Sequence, residues 1–320
     1  MNRYAAAVWL GFFLASASAV AQNAAAPAAA KPAAPVASTE KATYVGSEVC
    51  MSCHEDIGKA FAKNPHEAVE TGSVKKYGFK GQACESCHGP GSNHITSLSP
   101  ADIRNPAKLP AAETDKTCLT CHRNEPTQAG RLESSHAHNQ VACTGCHTIH
   151  GSTDALVARK PAQVNALCAS CHETEMAAFQ LPFKHRVVEG AMTCVDCHNP
   201  HGSFKPGMMQ LTMANEPGCL KCHVDKRGPF TYEHQPVRTE GCGSCHEPHG
   251  SANAKMLIRT EVRYMCLECH ANLPAQSNSN LAVAGVVPPA SHDMVSPRYR
   301  NCTICHQKIH GSQIDRNLLR

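Results

Sequence analysis

The chain has 320 residues, enough for one large or two medium domains, and carries a formal net charge of +4 at pH 7. Aromatic residues make up 5% of it, and alanine inflates the 42% hydrophobic fraction. So few large side chains bury too little apolar surface to offset the conformational entropy of a chain of this length, which excludes an ordinary side-chain core. We therefore expect another material to fill the interior.

The N-terminus has the parts of a secretory signal peptide at residues 1–21. Arg3 supplies the positive charge, an apolar run follows it, and Ala19, Val20 and Ala21 form a small-residue cleavage site. The apolar run is short for a membrane span, which needs about 20 residues, so cleavage is favoured over a retained membrane anchor. Residues 22–43 are rich in alanine and proline and predict a flexible tether. The remaining domain, residues 44–320, is expected to be exported.

All twenty cysteines lie in Cys-x-x-Cys-His pentads, numbered 1 to 10 in chain order. This pattern is the attachment signature of c-type haem: two thiols one helical turn apart bond to one edge of the porphyrin, and the adjacent imidazole binds the iron. The cysteine pairs are Cys50/Cys53, Cys84/Cys87, Cys118/Cys121, Cys143/Cys146, Cys168/Cys171, Cys194/Cys197, Cys219/Cys222, Cys242/Cys245, Cys266/Cys269 and Cys302/Cys305. The proximal histidines that follow them are His54, His88, His122, His147, His172, His198, His223, His246, His270 and His306.

Three other uses of paired cysteines fit the sequence less well. Zinc sites and iron–sulfur clusters do not require a histidine after every pair, and a disulfide framework leaves the ten histidines unexplained. We therefore predict ten covalently bound haem c groups, which would supply the missing interior, and a haem-free chain that is largely unfolded. The propionates of ten haems outweigh the formal charge of +4, so that charge does not indicate a nucleic-acid partner.

Eleven of the 21 histidines lie outside the pentads. Ten irons need ten sixth ligands, so this near-match predicts bis-histidine ligation of every iron, with one histidine to spare. Either His136 or His138 would be the spare, and the position of His136 seven residues before Cys143 favours His136 as the ligand. Methionine, a rival axial ligand, shows no regular relation to the pentads. The predicted distal ligands are His66, His94, His136, His150, His185, His201, His234, His249, His292 and His310.

Four of these distal histidines lie in a repeated segment, of which CVDCHNPHGS at 194–203 is one copy. Related segments occupy 143–152, 242–251 and 302–312. His201 follows His198 by three residues, too few to reach the opposite face of the same macrocycle. His201 is therefore predicted to bind the iron of a neighbouring haem, with Gly202 allowing a tight backbone turn. One segment would then hold two cofactors.

The pentads lie on a repeat of roughly fifty residues: an upstream histidine, a pentad with a second histidine and Gly-Ser, then a plain pentad. Proline and glycine, 21 of each, predict loops between short helices at the pentads, with little or no β structure. Five pentads precede residue 173 and five follow residue 193. We therefore expect an elongated wire of ten haems in two pentahaem halves, about 44–180 and 181–320.

The ten pentads, CHGPGSNH at 87–94, the CHxPHGS repeats and the C-terminal CHQKIHGS resemble the periplasmic decahaem cytochromes of the MtrA/DmsE type, which include PioA and MtoA. The resemblance covers residues 44–320. It implies an electron-transfer protein of the periplasm that inserts into an outer-membrane β-barrel porin of the MtrB/PioB type. Such a protein connects periplasmic or inner-membrane cytochromes with extracellular donors or acceptors such as iron, in some cases through a surface multihaem cytochrome. A chain without its own spanning segment would need such a barrel to cross a bilayer about 40–45 Å thick.

Two other functions are compatible with the pentads. A soluble periplasmic electron shuttle, or the electron-donor subunit of an extracellular reductase, would carry the same motifs. A multihaem nitrite or hydroxylamine reductase is disfavoured, because such an enzyme needs an iron with an open coordination position. This sequence has a histidine for every sixth position and no Cys-x-x-Cys-Lys variant. No catalytic residue is therefore predicted, and both directions of electron flow are left open.

Overall fold

The computed structural model describes residues 41–72, 78–151, 160–270, 274–275, 280–281 and 297–320. Residues Ala42–Arg320 form one unit. The predicted signal peptide, residues 22–40 of the predicted tether and the predicted distal ligand His292 lie outside the described residues. The boundary between the two predicted pentahaem halves stays a prediction.

Short α-helices provide most of the regular structure. The longest of those described, α6, has twelve residues. Within the described ranges, none of the helices combines the length and the apolar character that a membrane crossing requires. The α-helices are α1 (Ser47–Met51), α2 (Glu55–Phe61), α3 (Glu67–Glu70), α4 (Ala83–His88), α5 (Ser92–Ser97), α6 (Ala111–His122), α7 (Ser135–His138), α8 (Pro161–Ala169), α9 (Glu173–Ala178), α10 (Cys194–Cys197), α11 (Gln235–Thr239) and α12 (Val262–Leu267).

Strand structure is confined to one small antiparallel sheet in the described part of the chain. Its strands are β1 (Pro274–Ala275) and β2 (Asn280–Leu281), with Pro274 opposite Leu281. The prediction of short helices and loops with little or no β structure is therefore confirmed. Single 3₁₀ turns lie between the α-helices, at Pro100–Asp102, Pro106–Lys108, Pro126–Gln128, Cys143–Gly145, Pro206–Met208, Gly218–Lys221, Val224–Lys226, Cys242–Ser244, Ala254–Met256, Pro297–Tyr299 and Cys302–Ile304.

Proline and short polar side chains set where many of these turns begin. The Ser99 hydroxyl accepts a hydrogen bond from the Ala101 N–H at 3.2 Å, and the side-chain Oδ1 of Asn105 accepts one from the Ala107 N–H at 3.1 Å. Proline suits the first position of a turn because that residue has no helical acceptor for its N–H. It stands there in α8 and in the 3₁₀ turns that start at Pro100, Pro106, Pro126 and Pro206.

The apolar interior formed by side chains is very small. Among the described residues, the buried apolar side chains are Ala83, Ala111, Phe179, Val187 and Met265. Burial of one large apolar side chain contributes about 1.5–3 kcal/mol, so this set falls far short of what ordering such a chain costs. Buried polar side chains are more numerous: Ser47, Asn64, Glu85, Thr114, Asp115, Arg131, Ser134, Asn165, Ser251 and Ser312.

The CHxPHGS repeats and the C-terminal CHQKIHGS join parts of the chain that are distant in sequence. Ser251 forms an antiparallel bridge with Phe183, and Ser312 forms one with Tyr232. Phe183 stands two residues before His185, and Tyr232 stands two residues before His234, so each serine lies close to a predicted distal histidine. Gly202 makes the corresponding approach to Gly130 and Ser134, so closely that a Cβ atom there would overlap both residues.

Candidate haem-binding centre

Each pentad forms one helical turn that presents its two cysteines and its histidine together. The histidine N–H donates to the carbonyl oxygen of the first cysteine at 2.9–3.0 Å in pentads 1 and 4 to 10, and pentads 2 and 3 lie within α4 and α6. This backbone hydrogen bond spans four residues, as in an α-helix. It leaves the two thiols one turn apart, which is the spacing that attachment to one porphyrin edge requires.

A continuous internal space of ≈ 4280 Å³ lies where a side-chain core would otherwise be. The cysteines and histidines of pentads 3 to 10, from Cys118 to His306, all line it. Seven predicted distal ligands line the same space: His66, His136, His185, His201, His234, His249 and His310. The chain thus surrounds a cavity, partly open to solvent, whose walls carry the groups predicted to attach and ligate haem.

Pentads 1 and 2 lie largely outside this space. Of their four cysteines, Cys87 lines the space, whereas Cys50, Cys53 and Cys84 do not. Cys53 is also exposed, because it follows the end of α1 in the short turn that leads to α2. A haem on Cys53 would therefore sit against the outer surface of the chain. That the Cys53 thiol attaches haem stays a prediction.

Exposure of the second cysteine is not restricted to pentad 1. It recurs in pentads 5, 7, 9 and 10, where the same cysteines line the edge of the cavity. The first cysteine of every pentad is half-buried. In pentads 2, 4 and 6 its backbone N–H donates to a buried side chain that stands three residues before the preceding pentad. The exposed second cysteines are Cys53, Cys171, Cys222, Cys269 and Cys305.

Histidine rings from different pentads and segments face each other in pairs. A metal–imidazole bond is about 2 Å long, so two imidazoles on opposite sides of one metal have ring centres about 6 Å apart. Nine pairs of a proximal with a predicted distal histidine have ring centroids 5.7–6.3 Å apart: His54–His94, His88–His150, His122–His66, His147–His201, His172–His136, His198–His249, His223–His185, His246–His310 and His270–His234.

Two of these pairs bear on choices that the sequence left open. The His201 ring faces His147 at 6.0 Å, whereas His198 faces His249 at 5.9 Å. In α7, His136 faces His172 at 6.2 Å and His138 is exposed. The proximal histidine outside these nine pairs is His306, and the predicted distal ligand outside them, His292, lies beyond the described residues.

Hydrogen bonds to backbone carbonyls hold one imidazole in seven of the nine pairs. A carbonyl oxygen can only accept, so the Nδ1 atom that faces it carries the proton and Nε2 keeps its lone pair. This arrangement is typical of histidines that bind metal through Nε2, and it raises the basicity of the ligand. The proximal donors of this kind, at 2.6–2.8 Å, are His88 to Arg104, His198 to Gly207, His246 to Lys255 and His306 to Asn317.

In the pairs of the odd-numbered pentads, the distal imidazole, and not the proximal one, is held by a hydrogen bond from its Nδ1–H. His94 donates to the Ser99 carbonyl, His136 to Pro200 and His185 to Pro248, each at 2.9 Å. His234 bonds the Ile309 backbone, and His66 bonds the Asn64 side chain at 2.9 Å. Pro200, Pro248 and Ile309 immediately precede the distal histidines of the preceding pentads. Sequence reasoning missed these acceptors, although Gly207 and Lys255 each follow a proximal histidine by nine residues.

Burial keeps many of these imidazoles in the neutral form that binds iron. Desolvation lowers the pKa of six of them, and the charges of neighbouring histidines add to the effect for all six. A neutral imidazole needs no proton to leave before it ligates a metal. The six are His66, His88, His201, His234, His249 and His310.

Cysteines of successive pentads lie close to each other along the whole series. At the junctions that lead from an odd to an even pentad, the two first cysteines are within hydrogen-bonding reach: Cys50/Cys84, Cys118/Cys143, Cys168/Cys194, Cys219/Cys242 and Cys266/Cys302. At the other junctions, the second cysteine of the even pentad interacts electrostatically with the first of the next: Cys87/Cys118, Cys146/Cys168, Cys197/Cys219 and Cys245/Cys266. The attachment points therefore form an unbroken series.

Buried polar side chains fix the spacing of the first three odd–even pairs. Each stands three residues before an odd pentad and accepts a hydrogen bond from the backbone N–H of the first cysteine of the next pentad. Ser47 Oγ accepts from Cys84 at 3.3 Å, Asp115 Oδ1 from Cys143 at 2.9 Å and Asn165 Oδ1 from Cys194 at 3.0 Å. Sequence reasoning missed these residues, because serine, aspartate and asparagine share no motif.

Comparisons with known proteins agree with this construction. The family model "Doubled CXXCH motif" matches residues 185–228 and 234–275, and "Cytochrome c-type protein NrfB-like" matches residues 84–162. Multiheme cytochrome MtrA of Shewanella baltica is 34% identical over 271 residues, which cover 83% of this chain and 78% of that protein. C-type polyheme cytochrome OmcB of Geobacter sulfurreducens is 24% identical over 48% of this chain and 25% of its own length. Cytochrome c-type protein NrfB of Escherichia coli is 25% identical over 39% of this chain and 65% of its own length.

Proposed function

Because the chain belongs to the MtrA family of multihaem c-type cytochromes, we propose that it conducts electrons through the outer membrane along ten bis-histidine haems. The coarser part of this statement, electron transfer by covalently bound haem c, follows from the family and its pentads. The number of haems, their axial ligands and the route are the proposal.

Ten pairs of histidines would hold the irons. Nine are the pairs with ring centres 5.7–6.3 Å apart, and the tenth joins His306 to His292. Bound haem would supply reversible one-electron reduction of its iron. The chain's residues attach it through the cysteines, present two neutral imidazoles and orient one of them by a carbonyl acceptor. The carbonyl acceptors and the enclosed cavity both suit this cofactor.

The pairing supports electron transfer over substrate chemistry. A reductase needs an iron whose sixth position admits a substrate. In the nine described pairs, the second imidazole would occupy that position. Electron paramagnetic resonance of the oxidised protein tests this assignment. We expect only low-spin ferric signals, and a stoichiometric high-spin signal in native protein would contradict bis-histidine ligation of every iron.

The single observation that carries the conduit is the unbroken series of interacting cysteines from pentad 1 to pentad 10. Each of the nine junctions brings attachment points of successive pentads together. Cofactors attached at adjoining points are held in order along the chain, so an electron entering at one end has a neighbour at every step. A protein that used one or two haems for chemistry would not need this continuity.

The outer-membrane location is supported by the similarity to MtrA and by the decahaem family that the motifs resemble. The partner is a β-barrel porin, which would shield the chain from lipid. Mild-detergent purification from the native cell through a tag on this chain tests the proposal. We expect co-purification of an outer-membrane barrel, and its loss when the barrel gene is deleted. Recovery of the cytochrome alone would instead favour a soluble shuttle or a donor subunit.

A further inference from the structure

The surroundings of the distal imidazole differ among three related segments. Behind His249 lies the buried ring of Phe179, with ring centroids 5.3 Å apart. The glycine after His310 packs against the ring of Phe230. The glycine after His201 packs against the segment from Gly130 to Ser134, which carries the Arg131 guanidinium. One distal imidazole therefore has a buried cation nearby where the other two have an aromatic ring.

Arg131 is 4% exposed and is held by several partners. It forms an ion pair with the buried Asp115 at 2.5 Å and donates to the Val141 carbonyl and the Ser134 hydroxyl. A buried ion pair is costly to desolvate and is weak grounds for a gain in stability. The backbone contact that Asp115 makes does not require a charge, because neutral Asn165 makes the same contact one unit later. The charges at this position therefore call for a role other than folding.

The distal imidazole beside Arg131 also has an unusual Nδ1 atom. His201 Nδ1 is buried and has no hydrogen-bond partner among the described residues. An imidazole whose Nδ1–H meets no acceptor is a poorer electron donor to a metal than one that donates to a carbonyl. A poorer donor stabilises ferric iron less and so raises its reduction potential.

Both charges of the ion pair lie near pentad 4 and its distal ligand. The Arg131 guanidinium donates to the Ser134 hydroxyl, and Ser134 packs against Gly202, the residue after His201. The Asp115 carboxylate accepts from the Cys143 N–H at 2.9 Å and from the Cys143 thiol at 3.0 Å. A cation at the distal side favours the reduced iron, which carries one positive charge fewer.

We propose that the Asp115–Arg131 pair and the unpartnered His201 together make the iron of pentad 4 the most oxidising in the chain. The proposal rests on the bis-histidine ligation proposed above. Asp115 and Arg131 are positioning residues that act through the ligands and the surrounding field. An electron entering the series would settle first at pentad 4, so that the conduit contains a site that stays reduced between transfers.

Potentiometric titration of the complete holoprotein, followed by visible absorbance, tests this inference. Each of ten haems contributes about a tenth of the absorbance change. The tenth that appears at the highest potential therefore reports the iron that is reduced first. We expect Arg131→Gln to move that tenth to lower potential and Asp115→Asn to move it to higher potential. Opposite shifts identify charges acting on the iron, since a loss of packing would move both variants in the same direction. His201→Met identifies which part of the titration curve belongs to the iron of pentad 4, because thioether ligation raises the reduction potential of that iron.

Two further variants keep the test decisive if a single charge left buried disturbs folding. Arg131→Lys retains the cation and should keep the wild-type titration curve. The double variant Asp115→Asn/Arg131→Gln has no charge left at the pair, as at the neutral Asn165 of the later unit. Lys59→Gln is the control, since its pair with Glu55 is exposed and screened and lies outside the cavity. The inference is overturned if the two single variants shift the curve in the same direction or not at all. A wrong haem count, or a high-spin haem in the parent protein, would instead overturn the proposed function.

Discussion

The two predicted halves of the chain hold their pentads in different ways. Eight of the ten buried polar side chains named above precede residue 181, and only Ser251 and Ser312 follow it. Both of those serines end a repeated segment, CHEPHGS for Ser251 and CHQKIHGS for Ser312, and form backbone bridges, to Phe183 and Tyr232. The second half therefore repeats one backbone contact, whereas the first half uses individual buried side chains at separate places.

This difference follows from the sequence of each half. The doubled-motif family model matches residues 185–228 and 234–275, where spacing is regular and each unit can dock on the next in the same way. The first pentads are more widely spaced, so the chain between them has no repeated partner. Buried Ser47, Glu85 and Asp115 provide the missing contacts there. Regular repeats thus need fewer specific anchors than irregular ones.

Removal of all haem should abolish the difference between the halves, and it is the largest effect that we expect. Only five apolar side chains are buried in the described part of the chain, too few to stabilise either half. Protein produced without haem attachment should show no cooperative transition in calorimetry and rapid amide hydrogen exchange throughout. The holoprotein is the control. A cooperative transition in the haem-free chain would show that side chains alone suffice.

Replacement of Glu85 should disturb the first half alone. This carboxylate is 2% exposed and accepts hydrogen bonds from the backbone N–H groups of Val45, Gly46 and Gly91 at 2.9 Å. Glu85→Gln points an amide N–H₂ at these donors, and we expect a local loss of about 3 kcal/mol. Hydrogen exchange should rise near residues 41–92 and stay unchanged near 234–270.

Glu133→Gln is the matched control for that experiment, because Glu133 is exposed. Equal exchange in both variants would mean that the buried carboxylate is not an anchor. Faster hydrogen exchange across the second half in Glu85→Gln would mean that the stability of the second half depends on the first.

The attachment sites could be predicted because their chemistry is local. When two thiols and an imidazole recur within five residues ten times in one chain, their common use is covalent attachment of haem. The pentads and the haem c that they bind could therefore be predicted without a structure. The set of distal ligands came from counting histidines, and it stays a prediction. Which histidine meets which could not be deduced, since His147 and His201 are 54 residues apart (201 minus 147).

Burial of the attachment points could not be predicted from the pentads, because identical motifs lie in different surroundings. Cys53 is exposed and lies outside the cavity, whereas Cys121, the second cysteine of pentad 3, lines it. The difference depends on which distant segments cover each pentad. The anchors Ser47, Asp115 and Asn165 likewise act through backbone contacts that no motif records.

A side chain at Gly250 should disturb the second half by a smaller amount. Gly250 has φ +155°, and a Cβ atom there would overlap the Ala178 carbonyl oxygen. We expect Gly250→Ala to cost about 1–3 kcal/mol locally and to move His249 away from His198. Hydrogen exchange and a high-spin fraction of one haem in ten would report it. Gly243→Ala is the control, because nothing lies within 4 Å of its Cβ position.

The smallest expected effect tests the place where the two halves meet. In α7, His136 faces His172 and donates to the carbonyl oxygen of Pro200 at 2.9 Å, so that it joins the first half to the second. His138 is exposed on the same helix. Positions two apart on a helix do not share a face, so only one of these histidines can point at the cavity.

We therefore expect His138→Gln to change stability by less than about 0.5 kcal/mol and to leave every haem low-spin. His136→Gln, the matched variant, should make the iron of pentad 5 high-spin and loosen the Pro200 contact. Electron paramagnetic resonance distinguishes the two variants, and hydrogen exchange near residue 200 reports the contact. A high-spin signal in His138→Gln would exchange the roles of the two histidines. The joint between the halves would then depend on the exposed side of α7, and the carbonyl of Pro200 would have no part in orienting an iron ligand.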